Sequence, residues 1–388
     1  MKRVVFITGN RYPVGDAGAI RQHMMAKIFQ NAGCQVFIYS MGNSTNKKVQ
    51  IYDGIKYISM RGNKTDKLSR ILNRITWAKR TIKDLQRRFK QIDAIVLIDD
   101  NPWLFKEVEK IGEKLGSKLI HDCVEWYSPE EYKLGKLDIR YRLKDYVNKK
   151  ALNEKWDVIS ISQYLYNWFL ERCHRTVKIP VILDMFDIEE PEFFVPNTND
   201  KVIFTYAGAP GKKDYLDTIL KGFSLLDKEL LEKVAIHIIG VNRDQLINAC
   251  GVDAKIINAL GTVLCIHGRV PHEEAVSWVK RADFTLLLRD EKLRYAIAGF
   301  PTKIVESLKY GTPPICNISS DLGQYLVNSN NSIIIDGCNS ESVNKAIRTA
   351  LQMHVTDRAS MRKAARETAV KNFDYRLYSN QIISLLSD

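Results

Sequence analysis

Residues 299–306, Gly-Phe-Pro-Thr-Lys-Ile-Val-Glu, combine a turn, a helix start and an acidic side chain in one short stretch. The Gly/Pro turn leads into a predicted helix, and the free N–H groups at the start of that helix can hold an anion. Glu306 follows about one turn later, where its carboxylate can accept hydrogen bonds from a ribose diol. This spacing predicts a site for an anion beside a diol, with six candidate residues: Gly299, Phe300, Pro301, Thr302, Lys303 and Glu306.

Two other loops connect a predicted strand to a predicted helix and are rich in small residues. Gly15 lies in the first loop, and the second carries Gly208 and, at the start of its helix, Lys213. Glycines let backbone N–H groups approach an anion, and a lysine adds a point charge. Neither loop has the G-x-G-x-x-G or the Walker A pattern. The alternatives are a tight connection whose glycines only adopt positive φ, and a pair of solvated lysines.

His121 and Asp122 follow the apolar run 118–120, which places both at the carboxyl end of a predicted strand. Side chains at that end leave the sheet and can meet a ligand. With Asp122 and Glu125 close in sequence, His121 is a candidate active-site residue. A histidine with a structural role is the alternative.

Apolar runs of strand length alternate with helical stretches along both halves of the chain. Such alternation is typical of parallel sheets covered by helices on both faces. We therefore predict an α/β fold of two Rossmann-like, doubly wound domains that face a central cleft, with ligands at the carboxyl ends of the strands. The predicted strands are 4–8, 36–39, 94–98, 118–121, 158–161, 202–206, 234–239, 263–267, 284–288, 313–316 and 332–335.

The composition is that of an ordinary globular protein, since 45% of the 388 residues are hydrophobic and 27% are charged. The seven cysteines are scattered and predicted to be reduced, so neither a disulfide framework nor a zinc site is indicated. No apolar run approaches the ~20 residues that cross a bilayer, and the first hydrophobic stretch is too short for a signal peptide. The predicted location is the cytoplasm.

The net charge of +13 is unevenly distributed. Residues 1–183 carry 34 Lys and Arg against 19 Asp and Glu, whereas residues 184–200 carry six acids and no base. The acidic, proline-containing stretch predicts a domain linker. The predicted domains are therefore 1–183 and 201–370, with a linker at 184–200 and a C-terminal helix at 371–388 that crosses back to the first domain.

Residues 61–90 hold eleven Lys and Arg against two Asp, with apolar residues at helical spacing. A basic amphipathic helix lies readily on anionic lipid. The alternative is a domain helix with a solvated basic face. Aromatic residues do not interleave with the bases and no RNA-binding string is present, so nucleic acid is not a predicted partner.

In their order and spacing, these residues resemble glycosyltransferase family 4, which contains retaining enzymes of the GT-B fold, and in particular its bacterial cell-envelope polysaccharide type. The most specific match is to the family element E-G-F-x(4 or 5)-E-(A/S)-x-x-x-G-x-P, which residues 298–313 resemble closely. The supporting matches are the Pro-Gly loop after the first strand, His121-Asp122, and residues 157–162, 238–240, 268–271 and 281–283.

The chain departs from the family pattern at two positions. Ala298 stands where the family has the first Glu of an E-x7-E pair, and Ala209 stands where it has the Arg of a G-R-x4-K diphosphate clamp. The Lys of that clamp aligns best with Lys213. Arg289 or Arg294, on the loop after strand 284–288, can replace the lost charge.

The resemblance implies transfer of a sugar from a UDP- or GDP-linked donor to an acceptor hydroxyl, with retention and without a metal or cofactor. The sequence holds no D-x-D motif. By resemblance, His121 faces the sugar, Lys213 and Arg289 stabilise the departing diphosphate, Glu306 holds the ribose, and Gly15 makes room for donor and acceptor.

The partners implied by the resemblance are a nucleotide sugar, a glycan or lipid-linked acceptor, and an anionic membrane surface at the inner face of the plasma membrane. Two other functions stay open at this point. One is a GT-B-like nucleotide-sugar epimerase, which uses no acceptor. The other is a non-catalytic basic protein that binds a membrane or RNA.

Overall fold

The computed structural model describes residues 1–13, 15, 17–41, 48–60, 67–188, 201–208 and 213–387, and of residues 67–75 it describes the backbone alone. The described strands, in chain order, are β1 Arg3–Thr8, β2 Gln35–Ser40, β3 Gln50–Tyr52, β4 Ile55–Ser59, β5 Ala94–Ile98, β6 Lys118–Cys123, β7 Trp156–Ser160, β8 Arg175–Lys178, β9 Val202–Ala207, β10 Val234–Ile239, β11 Leu264–Gly268, β12 Phe284–Leu287, β13 Pro314–Asn317 and β14 Ile333–Ile335.

Helices alternate with these strands. In chain order they are α1 Ala17–Asn31, α2 Lys67–Arg88, α3 Pro102–Leu115, α4 Ile139–Tyr146, α5 Gln163–Leu170, α6 Leu216–Ser224, α7 Lys228–Leu231, α8 Arg243–Asn248, α9 Ala254–Leu260, α10 His272–Arg281, α11 Arg294–Ala298, α12 Thr302–Lys309, α13 Ser340–Gln352, α14 Val355–Phe373 and α15 Ser379–Leu386.

The described strands form two sheets. The first has the order β3-β4-β2-β1-β5-β6-β7-β8, and the second has the order β11-β10-β9-β12-β13-β14. All described pairings are parallel except that of β3 with β4, which is antiparallel. Because β1 and β9 start in the middle of their sheets and the chain winds outward to both sides, each sheet is doubly wound. The predicted α/β fold with two such sheets is confirmed.

The eleven predicted strands all occur, with ends shifted by at most two residues. Three further strands, β3, β4 and β8, were not predicted. They lie toward the two edges of the first sheet, where β3 and β8 are partly exposed and therefore lack a continuous apolar run.

The chain divides into two compact units. Unit 1 comprises Met1–Asp184, Leu293–Phe300 and Tyr375–Asp388, and unit 2 comprises Met185–Lys292 and Pro301–Asp374. The predicted boundaries assign residues 293–300 to the second domain, whereas the structure groups them with unit 1. Residues 189–200, most of the predicted linker, lie outside the described residues.

The C-terminal residues belong to unit 1, although the predicted single helix at 371–388 is absent. Helix α14 runs on to Phe373 in unit 2, and a short 3₁₀ turn at Tyr375–Tyr378 then leads into α15. Ile382 and Leu385 of α15 are fully buried in one core cluster with Phe6 and Phe29. At about 1.5–3 kcal/mol for each large apolar side chain, this burial makes α15 part of the core of unit 1.

Helix α2 is the predicted basic helix, and its described second half is amphipathic. Ala78, Ile82 and Leu85 are buried in unit 1, while Lys79 and Lys83 are exposed. The side chains of Leu68, Ile71, Leu72 and Ile75, which the same prediction includes, lie outside the described residues. In the described half, the apolar face is therefore used for packing within the unit.

Among the described helices, none combines the length and the apolar character that crossing a membrane requires.

Candidate functional site

The carboxyl ends of three neighbouring strands in unit 2 each carry a glycine. Gly208, Gly240 and Gly268 follow or end β9, β10 and β11, and all three have positive φ, at 154°, 102° and 69°. A Cβ on Gly240 would lie 2.3 Å from the carbonyl oxygen of Gly208. Since no side chain fits in that space, this end of the sheet presents mainly backbone.

Asp214 is a buried carboxylate with three hydrogen-bond partners in unit 2. The Tyr206 hydroxyl donates to its Oδ2 at 2.8 Å, and the Lys303 ammonium lies 2.7 Å from the same oxygen. Arg289 Nε lies 3.4 Å from Oδ1. Burial alone raises the pKa of Asp214, but the charges of Lys303 and Arg289 and the hydrogen bonds outweigh it, so the pKa lies below its usual range. The cluster of Tyr206, Asp214, Arg289 and Lys303, called the Asp214 cluster below, carries a net charge of +1.

Lys303 reaches Asp214 across the backbone of Gly208. A Cβ built on Gly208 would lie 2.1 Å from Lys303 Cε and 2.9 Å from Nζ. Any side chain at position 208 would therefore displace Lys303. The predicted donor residues Gly208 and Lys303 are adjacent in the structure, at the end of β9.

Arg289 is fixed by its own backbone at the end of β12. Its N–H donates to Asn317 Oδ1 at 3.0 Å, and Asn317 Nδ2 donates back to its carbonyl oxygen at 2.6 Å. Asn317 is the last residue of the neighbouring strand β13, so the sheet itself places Arg289. The structure brings three predicted residues, Gly208, Arg289 and Lys303, into one cluster.

Lys213, the lysine predicted to face the diphosphate, is exposed and directly precedes Asp214 in sequence. The lysine that lies 2.7 Å from the Asp214 carboxylate is instead Lys303. Residues 209–212, which include Ala209 of the family clamp, lie outside the described residues.

Helix α12 presents Glu306 one turn after Lys303, on the same helix face. The helix is anchored by Ser307, whose hydroxyl donates to Thr312 O at 2.6 Å and lies 2.5 Å from the Thr285 hydroxyl. Ser307 has a single proton to give, so the Thr285 hydroxyl is the donor in the second bond. Pro301 and Thr302, both predicted donor-binding residues, form the start of this helix.

Glu306 is half-buried, and its burial raises the pKa of the carboxyl group. The charges of His272, Lys303 and Lys309 oppose that rise. No described residue donates a hydrogen bond to the Glu306 carboxylate, so both of its oxygens can accept hydrogen bonds from a diol.

The segment before α12 is held within unit 1. The Tyr295 N–H donates to Glu131 Oε1 at 3.0 Å, and the Ser162 hydroxyl donates to the Ala298 carbonyl at 2.7 Å. Tyr295 also stacks on Tyr127 at a centroid distance of 6.1 Å. These contacts explain why residues 293–300 group with unit 1 and divide the predicted donor segment between Phe300 and Pro301.

Ala298 and Gly299 are both constrained by packing. Ala298 is fully buried, so the Glu that the family has at this position would not fit without repacking. A Cβ on Gly299 would lie 2.8 Å from the Tyr295 carbonyl oxygen. The small residues at 298 and 299 are therefore required by the local structure of unit 1.

His121 lies within β6, two residues before its end, and is buried. Its Nδ1 lies 2.8 Å from the Leu97 carbonyl oxygen and must donate to it, which leaves Nε2 as an unprotonated acceptor. Among the described residues Nε2 has no hydrogen-bond partner. Burial, helped by the charge of Lys144, lowers the pKa of His121 to about 4. The imidazole is therefore neutral at pH 7.

Asp122 takes part in a buried ion pair. Its carboxylate lies 2.9 Å from Arg21 Nε and 2.8 Å from Arg21 Nη2, and the Arg21 guanidinium also donates to the Pro180 carbonyl. The guanidinium thus connects α1, β6 and the segment after β8. Asp122 has a structural role in unit 1, whereas Nε2 of its neighbour His121 is buried and has no hydrogen-bond partner among the described residues.

Gly15 precedes α1 in a tightly packed loop. A Cβ at this position would lie 3.1 Å from Ala19 Cβ and 3.3 Å from Arg11 Cβ. A larger residue would push these neighbours apart. Val14 and Asp16 on either side lie outside the described residues.

Sequence reasoning missed Asp214, which joins Lys303 to Arg289, and Tyr206, which donates a hydrogen bond to Asp214. A usable signal was present, because Asp214 lies between a glycine-containing loop and helix α6, and Tyr206 lies in the strand before that loop. In the described part of the chain, no three His, Cys, Asp or Glu side chains are grouped so that they could hold a metal ion.

The two doubly wound sheets place this chain in the class of proteins that have the GT-B fold. Sucrose-phosphate synthase of Thermosynechococcus elongatus has a TM-score of 0.75 at 14% identity, with 99% of this chain and 98% of that chain covered. The HepE protein of Anabaena in complex with UDP-glucose has a TM-score of 0.65 at 13% identity, with 99% and 98% covered. At these identities the likeness shows the fold.

The sequence itself narrows the class. Residues 187–368 match the family described as glycosyl transferases group 1, which supports a group 1 glycosyltransferase. An uncharacterized glycosyltransferase of Methanocaldococcus jannaschii is 22% identical over 233 residues, or 58% of this chain. The match spans 55% of that relative's length, just over half.

Proposed function

We propose that the protein is a retaining, metal-independent glycosyltransferase of family 4 that transfers a hexose from a UDP- or GDP-sugar to an acceptor hydroxyl. The observation that carries the proposal is the Asp214 cluster. It concentrates the charges of Arg289 and Lys303 at a glycine-lined strand end in unit 2, and Glu306 follows on the same helix as Lys303. This combination suits a diphosphate joined to a ribose.

In the proposed reaction the bond between the anomeric carbon and the diphosphate oxygen breaks, and a bond to the acceptor oxygen forms on the same face. The acceptor proton passes to the departing diphosphate, as the family resemblance implies. The protein then mainly supplies positive charge and orientation, through Arg289 and Lys303 at the diphosphate and Glu306 at the ribose.

From the family resemblance we propose that His121, whose Nε2 is buried in this structure, contacts a sugar hydroxyl. Because it is neutral and donates from Nδ1 to Leu97, its Nε2 can accept a hydrogen bond but cannot give a proton at pH 7. We assign it orientation of the sugar, with the departing diphosphate as the proton acceptor.

The proposed setting is synthesis of a polysaccharide or glycolipid of the bacterial cell-envelope type, at the cytoplasmic face of the membrane. The exposed bases Lys79, Arg80 and Lys83 of α2 support an electrostatic contact with anionic lipid. Because the described apolar face of α2 is buried in unit 1, this contact would depend on charge and not on insertion.

The test is an assay of the full chain with a panel of UDP- and GDP-sugars, with and without lipid and glycan acceptors. We expect release of nucleoside diphosphate from one donor, coupled to an acceptor product heavier by one hexose residue and of unchanged anomeric configuration. Conversion of the donor to an isomer without acceptor would instead establish an epimerase. Failure to bind or turn over any member of the panel would overturn the proposal.

A further inference from the structure

The two cations of the Asp214 cluster come from different parts of unit 2 and meet on one carboxylate. Lys303 belongs to the first turn of α12, and Arg289 follows β12. Lys303 lies on Oδ2 and Arg289 on Oδ1, so each oxygen of Asp214 has its own cation. The spacing between the two positive groups is therefore set by the width of a single carboxylate.

The cluster is layered with respect to solvent. The Asp214 side chain is 2% exposed, whereas those of Arg289 and Lys303 are 14% and 29% exposed. The anion lies beneath and the cations lie above it. A negatively charged ligand that approaches from solvent therefore meets the cations first.

The charge balance favours a ligand with more than one negative charge. The four side chains of the cluster together carry a net charge of +1 in a half-buried place, where Coulomb interactions are stronger than in water. The Tyr206 hydroxyl holds Asp214 from the sheet side and adds no charge. A phosphate or diphosphate can bind both cations while Asp214 keeps them in position.

The glycine at position 208 leaves room for the Lys303 side chain at the end of β9. Lys303 lies against its backbone, and any side chain there would collide with the lysine stem. Gly240 in turn packs on Gly208 with no room for a Cβ. The cations thus lie at the carboxyl end of the central strands of a doubly wound sheet, where such sheets bind ligands.

We infer that Lys303 and Arg289 form the diphosphate clamp of this protein, in place of the family pair that maps to Ala209 and Lys213, and that Asp214 is the positioning residue that sets the clamp. The inference rests on the proposed function and specifies its donor site. It assigns the β- and α-phosphates of a nucleoside diphosphate to two cations that neither the spacing nor the resemblance pairs.

The two roles that Asp214 can have predict opposite changes in phosphate affinity when it is replaced by Asn. If it acted only as a nearby negative charge, replacing it by Asn would strengthen binding of a phosphate by removing repulsion. If it positions Lys303 and Arg289, the same change weakens binding because the cations lose their common anchor. Asp214→Asn therefore separates the two roles by direction.

The experiment measures the affinity of the full chain for UDP, for GDP and for the corresponding nucleosides, which lack phosphate, by titration calorimetry. Lys303→Met keeps the aliphatic stem and should weaken nucleoside diphosphate binding at least tenfold, while nucleoside binding changes less than twofold. Lys221→Met, an exposed lysine of α6 in the same unit, is the matched control and should change neither. Asp214→Asn should weaken diphosphate binding at least fivefold, and Asp214→Glu should restore part of it.

The outcomes are distinct. A wild-type chain that binds neither UDP nor GDP would overturn the proposed function and this inference together. A wild-type chain that binds one of them, with Lys303→Met unchanged or with Lys213→Met more impaired than Lys303→Met, would overturn the inference alone. If Asp214→Asn does not fold, Tyr206→Phe takes its place, and a loss of diphosphate affinity without loss of nucleoside affinity is then the expected result.

Discussion

Each unit buries an aspartate near the end of a central strand, but the two units compensate its charge differently. Asp122 of unit 1 is matched by one guanidinium, that of Arg21, and both side chains are almost fully enclosed. Asp214 of unit 2 has two cations, and both remain partly exposed. The first arrangement is closed and neutral, whereas the second keeps a positive charge toward solvent. The same architecture can therefore carry an enclosed ion pair in one unit and, in the other, a carboxylate whose cations are partly exposed to solvent.

The largest expected effect comes from removing one partner of the buried Arg21–Asp122 ion pair. Arg21→Met leaves the Asp122 carboxylate buried without its partner, which should reduce the free energy of unfolding by about 3–5 kcal/mol. Urea denaturation measures the change. The control is Lys110→Met, which removes an exposed i,i+3 pair with Glu107 and should cost less than about 0.5 kcal/mol. An Arg21→Met loss below about 1 kcal/mol would show that the pair is not the closed unit described here.

The neutral state of His121 in unit 1 can be tested by measuring the free energy of unfolding against pH. His121 has a pKa of about 4 in the folded chain, against about 6.5 when unfolded. Since the folded value is the lower one, its stabilising contribution is complete above pH 6.5 and is lost as the pH falls toward 4, by about 3 kcal/mol.

His121→Gln should therefore flatten the fall in unfolding free energy between pH 6.5 and 4, relative to wild type. His237 of unit 2, whose burial also lowers its pKa to about 4, keeps its own contribution in both proteins. Parallel profiles for wild type and His121→Gln would contradict the neutral assignment.

Nucleotide binding by unit 2 is tested by Glu306→Gln. Loss of a carboxylate that accepts two ribose hydroxyls should weaken UDP or GDP binding about tenfold, or about 1.4 kcal/mol, with nearly unchanged melting temperature. The effect should vanish for a 2′,3′-dideoxy analogue. Because the carboxyl pKa is raised, wild-type affinity should also fall as the pH is lowered, while the Gln variant responds less. If Glu306→Gln weakened binding of the ribonucleotide and of its 2′,3′-dideoxy analogue equally, Glu306 would not contact the ribose.

The sequence was sufficient for eleven of the fourteen described strands, but not for β3, β4 and β8 or for the division of the donor segment. Buried parallel strands are nearly continuous apolar runs, so β1, β9 and their neighbours were predictable to within two residues. Residues 298–306 look like one element in sequence. They divide between the two units because the Tyr295 N–H donates to Glu131 and the Ser162 hydroxyl donates to the Ala298 carbonyl. These partners are distant in sequence, so no local pattern encodes the contacts.

The candidate site, too, could be predicted only in part from the sequence. Gly208, Arg289 and Lys303 could be named from sequence because glycines and cations at strand ends are recognisable types. That Lys303 and not Lys213 meets Asp214 depends on where α12 begins relative to β9. Three-dimensional packing fixes that position, and sequence spacing does not.

A smaller effect concerns the outer surface of unit 1. Lys79, Arg80 and Lys83 are exposed on α2, while Arg87 and Arg88 pair with Asp84 and are poorer sites for substitution. Replacing one of the three exposed bases by Gln should weaken binding to anionic vesicles about fivefold, since each base near the surface contributes about 1 kcal/mol. Cosedimentation at low salt measures it, and binding should fall as salt rises. Binding that is absent at low salt would return α2 to a purely structural role.

The smallest expected effect is none at all. If the cations of unit 2 carry the diphosphate, EDTA should leave turnover unchanged and added Mg²⁺ should not raise it. A turnover that EDTA abolishes and Mg²⁺ or Mn²⁺ restores would contradict the metal-independent reaction.

The return of the chain to unit 1 at Tyr375 has a consequence for biosynthesis. Tyr375, Ile382 and Leu385 belong to the same core cluster as Phe6 and Phe29, so unit 1 lacks part of its interior until the last residues have been made. At about 5–20 residues per second, the ribosome needs roughly 10–40 s to translate the intervening residues of unit 2. During that interval the nascent first unit exposes an apolar surface to the cell. When α15 is finally translated, residues 185–374 have already been made. Vectorial synthesis thus favours maturation of unit 2 first, although unit 1 comes first in the sequence.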